Sequence, residues 1–119
     1  MEPETVRPAL YDWAPPHGRE PEPPPLDTAL AAFEGAREVA GRDEWEEAAN
    51  EFLAAAALVP RLEGRYAASL AAMREIAYRN AALAWSATHE GDTGRSTLLA
   101  AAERDPAHAA LLRELAATL

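Results

Sequence analysis

A chain of 119 residues has room for one domain with a modest core, and 30 of those residues are Ala, the strongest helix former, so composition favours an all-helical fold. The formal charge of −9, with Arg as the sole basic residue type, argues against nucleic acid and anionic membranes as partners, since phosphate binding needs a net basic surface. Cysteine is absent, which removes disulfides, thiol catalysis and thiolate metal sites.

Eight of the ten prolines lie in residues 1–25. The segment MEPETVRPALYDWAPPHGREPEPPP is therefore expected to hold no helix, and its last part favours extended polyproline II. Residues 1–26 read as a tail without regular structure. Glu2 and Glu4 stand where a secretory signal would carry basic residues, and no apolar run approaches the about 18 residues of a membrane span. A cytoplasmic protein is the resulting expectation.

From Asp27 onward the pattern is helical. Asp27 or Thr28 caps a first helix running to about Ala40, where Gly41 supplies a left-handed stop. Asp43 and Glu46 form a D-x-x-E capping box for a second helix, which Pro60 ends. A third helix starts near Glu63 and, with Gly64 in its first turn, has no breaker until Gly91, a length of about 42 Å. Asp92 or Thr93 caps a fourth helix to about Arg104, and Asp105-Pro106 opens a fifth. The fifth aligns Leu111, Leu112, Leu115 and Leu119 on one stripe, with Arg113 and Glu114 opposite. Five helices with short turns predict antiparallel hairpins, and the long third helix argues against a simple four-helix bundle.

The stretch AFEGAREVAGRDEWEEAANEFLAAAALVP resembles a tetratricopeptide repeat. Trp45, Ala48, Phe52, Ala55 and Pro60 occupy that family's second-helix positions in order, and Ala36 stands where the family has a small residue for close helix approach. Small Ala48 and Ala55 admit the partner backbone, while Trp45 and Phe52 fill the space between helices. A weaker copy, NAALAWSATHEGDTGRSTLLAAAERDP, keeps Leu83, Ala84, Gly91-Asp92, Leu98, Ala101 and Pro106 but has a shorter second helix with Gly94 near its start. The copies span about 29–60 and 78–106, within a domain of residues 27–119 whose end helix, 106–119, solvates the array. Two copies are few for such a stack, so either the long third helix compensates or the chain pairs with another.

The resemblance implies a concave groove lined by the first helix of each copy, which would show Phe33 and Arg37, then Tyr78, Ala81, Trp85 and His89. Periodicity supports this independently. Leu62, Tyr66, Met73, Ile76 and Leu83 form one apolar stripe on helix three, and Arg74, Tyr78, Trp85 and His89 form a second, roughly 140° around. A second stripe carrying Tyr, Trp and Arg has the composition of a binding surface. The competing expectation is that helix five or the tail simply buries Tyr78 and Trp85.

In the tail, Leu10, Tyr11 and Trp13 put three apolar side chains among prolines, where flexible segments are usually poor in aromatics. They anchor either in this chain's own groove or in a partner; the shortage of core residues favours the former. The REPEPPP run lacks the Arg spacing of an SH3 ligand and reads as a stiff, solvated spacer. His89, Glu90 and Asp92 point apart on a helix and make a poor metal site. Ser69, Ser86 and Ser96 lack a His or Asp pattern, and Glu44, Glu46, Glu47 and Glu51 form a solvated face.

No catalytic residue, metal or cofactor is therefore expected. The sequence points to an adaptor that captures a peptide or helix of a protein partner, with Phe33, Arg37, Arg74, Tyr78, Trp85 and His89 on the groove and Leu10, Tyr11 and Trp13 on the tail. The alternative is a structural subunit that uses the same surface as an obligate homo- or hetero-oligomer interface, a homodimer being one form of it. A small-molecule sensor is a third reading with no polar constellation behind it.

Overall fold

The chain is described by a computed structural model at residues 8–13, 24–58 and 67–119, with only the backbone described at 24–26. Pro60, Leu62, Tyr66, the expected start of helix three near Glu63 and most of the REPEPPP run lie outside the described residues. The fold is all-α. Among the described residues five α-helices follow one another: α1 (Pro24–Gly41), α2 (Trp45–Leu58), α3 (Ala67–Ser86), α4 (Gly91–Arg104) and α5 (Ala109–Ala117), the last preceded by a 3-10 turn over Pro106–His108. None of the described helices is long and apolar enough to cross a membrane.

Helix ends differ from the sequence expectation in instructive ways. The first helix begins at Pro24, not after residue 26. Prolines are tolerated there because first-turn N–H groups have no intrahelical acceptor to lose. The left-handed residue after α1 is Asp43, φ 61°, and not Gly41. Asp43 N–H donates to the Ala40 carbonyl at 2.9 Å, and Glu44 N–H reaches Val39 at 3.3 Å, closing the turn into α2.

The third helix stops at Ser86, short of Gly91. Hydroxyl groups take over its last carbonyls: Ser86 Oγ donates to Leu83 O at 2.5 Å and Thr88 Oγ1 to Trp85 O at 2.7 Å. Thr88 Oγ1 in turn accepts Glu90 N–H at 3.0 Å, which leads the chain into α4 at Gly91. Asp92 and Thr93 thus sit inside the first turn of α4, and Glu90 holds the N-cap position.

Packing follows chain order, with α3 central: it lies on α2 and reaches α1, α4 and α5. Ala48, Phe52 and Ala55 of α2 are buried, and Trp45 packs partly buried at the core edge, as the size alternation predicts. On α3 both faces are covered. Met73, Ala77, Ala81 and Ala84 are buried, and so are Arg74, Tyr78 and Trp85 of the second stripe. From α5, Leu112 is buried and Leu115 packs against the core from its rim, as does Leu119 just beyond the helix.

Gly94 explains how α4 approaches α3 so closely. A Cβ built there would lie 2.7 Å from Trp85 Cγ, 2.8 Å from Trp85 Cβ and 3.0 Å from Leu119 Cδ1. Since Trp85 is fully buried, its ring has nowhere to retreat. Gly94→Ala is accordingly expected to destabilise by about 1–2 kcal/mol, overpacking outweighing the helix propensity gained. Urea denaturation checks this, and a raised midpoint would show that the α3–α4 spacing relaxes freely.

Candidate functional site: a groove across α1 and α3 with the N-terminal arm in it

Two of the residues singled out in the tail, Leu10 and Trp13, meet two singled out on the helices, Arg37 and Phe33. Trp13 is buried, with its ring edge-on to Phe33 of α1 at a centroid distance of 6.1 Å. Phe33 in turn meets Phe52 of α2 at 5.5 Å, so three rings run from the arm into the core. Burying one indole in this way contributes about 2–3 kcal/mol. Leu10 packs partly buried against the core edge, and with Pro8 it lines a cavity of about 300 Å³ bounded by Arg37, Ala40, Gly41 and Trp45.

The backbone of the arm is held by one side chain. Asn80 Oδ1 accepts the Tyr11 N–H at 2.7 Å, and Asn80 Nδ2 donates to the Tyr11 carbonyl at 2.9 Å. N–H and C=O of a single residue face the same side in an extended strand, as they do in a hydrogen-bonded β pair. Asn80 therefore imitates a neighbouring strand. The amide is fully buried, so leaving it unpaired would cost about 1–3 kcal/mol. Tyr11 itself is 53 % exposed and borders a second cavity, also about 300 Å³, lined by Arg79, Ala82, Leu83, Ser86, Leu115 and Thr118.

Charge sets the register next to these contacts. Arg37 Nη1 donates to Asp12 Oδ1 at 2.6 Å, an exposed pair that positions more than it stabilises. The other Asp12 contact is local, Trp13 N–H to the same oxygen at 2.9 Å.

Arg74, Tyr78 and Trp85 are not on an open binding face. They are buried, and the second stripe of α3 is covered by the α4–α5 half of the domain. Tyr78 OH donates to Asp105 Oδ2 at 2.8 Å, and its ring meets His108 edge-on at 5.7 Å. Arg74 Nε and His108 Nδ1 lie 3.5 Å and 3.2 Å from the same carboxylate oxygen. Burial pushes the Tyr78 phenol well up, with the Asp105 hydrogen bond adding to it. Burial alone would also raise Asp105, but the Tyr78 hydroxyl, Arg74 and His108 outweigh it and hold the carboxyl below its usual range. Phe33 likewise is floor rather than exposed surface. His89 is exposed on the turn after α3, and Arg37 is the one exposed helix residue of the set that touches the arm.

Sequence reasoning missed Asn80, Asp12 and Asp105 as contact residues. A lone Asn between Ala77 and Ala84 on the inner face of a helix was the available signal for the first. The acidic face of α2 remains solvated, with the Glu44 carboxyl raising Glu47 by hydrogen bonding and repulsion. The described residues contain no group of three or more metal-ligating side chains. The chain matches no family model, no curated protein and no solved structure.

Proposed function

We propose that this chain is a peptide-capturing adaptor, similar to a short tetratricopeptide array, whose groove across α1 and α3 takes an extended segment of a protein partner. The observation that carries this is the Asn80 amide, which is buried and satisfied on both its atoms by the N–H and C=O of one residue, Tyr11, the pairing an extended backbone offers. A helix cannot occupy that position, because its N–H and C=O groups are already paired and point along the axis. Of the two modes open from the sequence, extended capture is therefore the one the geometry supports.

A display selection of random peptides on the full chain carrying Trp13→Ala tests the reading. Enrichment of a consensus is expected, and it should vanish when Asn80→Leu is added, since Leu matches Asn in size but offers neither bond. Loss of both bonds should weaken capture by about 2 kcal/mol, roughly thirtyfold. A selection that enriches nothing on the folded Trp13→Ala chain would sink the reading and favour the structural-subunit alternative.

A further inference from the structure

Resting on that reading, we infer that the groove selects an extended partner segment in which an acidic residue is followed directly by an aromatic one, and that residues 8–13 are the built-in competitor such a segment must displace. Each part of this pattern has its reader. Phe33 takes the aromatic ring, Arg37 the acid, and Asn80 the backbone of the residue before the acid. Arg37 is a local cation on a chain of formal charge −9, so it matches an acidic side chain where the surrounding protein does not.

The arm is an incomplete occupant. Trp13 is its one fully inserted side chain; Ala9, Tyr11 and Asp12 are exposed. The cavity of about 300 Å³ beside Tyr11, floored by Ala82, Leu83 and Leu115 and rimmed by Arg79, Ser86 and Thr118, is left unfilled by the arm. A partner that keeps the acid–aromatic pair and sends an apolar side chain into that cavity gains contacts the arm lacks. The occupant is therefore a segment of another protein with this chemistry, and the arm keeps the groove closed until it arrives.

A tethered competitor acts at an effective concentration on the order of millimolar. A free peptide with a dissociation constant of about 100 µM would then bind the wild-type chain about tenfold more weakly than a chain whose arm is released. The test uses full-length protein and a fluorescein-labelled peptide of residues 8–14, PALYDWA, read by anisotropy. Trp13→Ala protein is expected to bind it at least tenfold more tightly than wild type. Replacing the peptide's Trp with Ala should abolish most binding, and replacing its Asp with Asn should weaken it severalfold and flatten the salt dependence.

If all three peptides bind Trp13→Ala protein alike, the acid–aromatic selectivity is wrong while the groove reading stands. If no peptide binds that protein although it melts cooperatively, the groove reading itself fails. Equal affinity of wild type and Trp13→Ala overturns the competitor role. A wild-type chain that runs as a dimer by light scattering, and becomes a monomer with Trp13→Ala, assigns the groove to a second copy's arm and overturns the choice of occupant. Should Trp13→Ala protein fail to fold, Tyr11→Pro releases the arm by removing the N–H that Asn80 accepts, and the same peptides decide.

Discussion

Replacing Phe33 with Ala is expected to cost about 3–5 kcal/mol of folding free energy and to release the arm in the same step. The ring is fully buried and is the middle member of the Trp13–Phe33–Phe52 series. Its removal leaves a cavity between α1 and α2 and takes away the wall against which the indole lies. Domains of this size are stable by about 5–15 kcal/mol, so the loss is a large fraction of the whole. Thermal unfolding should shift down by on the order of 10 °C or more. Phe33→Leu separates the two effects: it refills most of the volume, costs about 1–2 kcal/mol, and still removes the edge-on partner of Trp13. Hydrogen exchange at the Trp13 indole N–H should then speed up in a protein that remains folded. A Phe33→Ala loss below about 1 kcal/mol would mean that the ring series is not central to the core.

Asp105→Ala is expected to be about as damaging, near 3 kcal/mol, for an electrostatic reason. One oxygen of that carboxylate receives the Tyr78 hydroxyl and faces both Arg74 and His108, so it joins α3 to the α4–α5 turn. Without it the Tyr78 hydroxyl loses its acceptor and the buried Arg74 loses a counter-charge. Asp105→Asn keeps an acceptor for Tyr78 and should cost less, about 1–2 kcal/mol. The pH dependence identifies the cause. Because the folded carboxyl titrates below the unfolded one, its stabilisation is complete above about pH 4 and is lost as pH falls through the lower folded value. The stability difference between wild type and Asp105→Asn should therefore narrow on acidification below about pH 4. At the other extreme, the raised Tyr78 phenol makes stability decline above about pH 10, where the unfolded phenol ionises first. A difference that stays constant in urea melts from neutral to acid pH would assign the Asp105→Asn effect to packing.

The all-helical fold was legible because Ala-rich segments with 3.6-residue periodicity leave no competing pattern, and α2 and α5 lie close to where their apolar positions put them. Helix ends were less legible. Ser86 and Thr88 close α3 through hydroxyl bonds to its last carbonyls, and Ser and Thr occur too widely in helices to announce this in advance. Of the residues named from the sequence, Trp13 meets Phe33 and Leu10 lies beside Arg37, while the Tyr11 side chain stays exposed and only its backbone is held. The stripe of Arg74, Tyr78 and Trp85 can be placed around α3 from its spacing, but that spacing leaves open whether it faces a partner or the core, and it is buried. Periodicity gives the angle of a stripe and says nothing of which neighbour covers it, and here the α4–α5 half does. Asn80 was hidden for a different reason: its partner lies 69 residues away in the chain, and one polar residue makes no pattern.

The Asn80 clamp has a consequence for what the arm can be made of. It reads N–H and C=O, which nineteen of the twenty amino acids share, while the Tyr11 side chain points largely into solvent. That position is thus almost indifferent to identity and closed to a single residue type, proline, which has no N–H to offer. Among the docked residues 8–13, Pro8 is the one proline, and it lies outside the clamp. Proline at position 11 would therefore cost the clamp one of its two bonds, whatever the side chains around it.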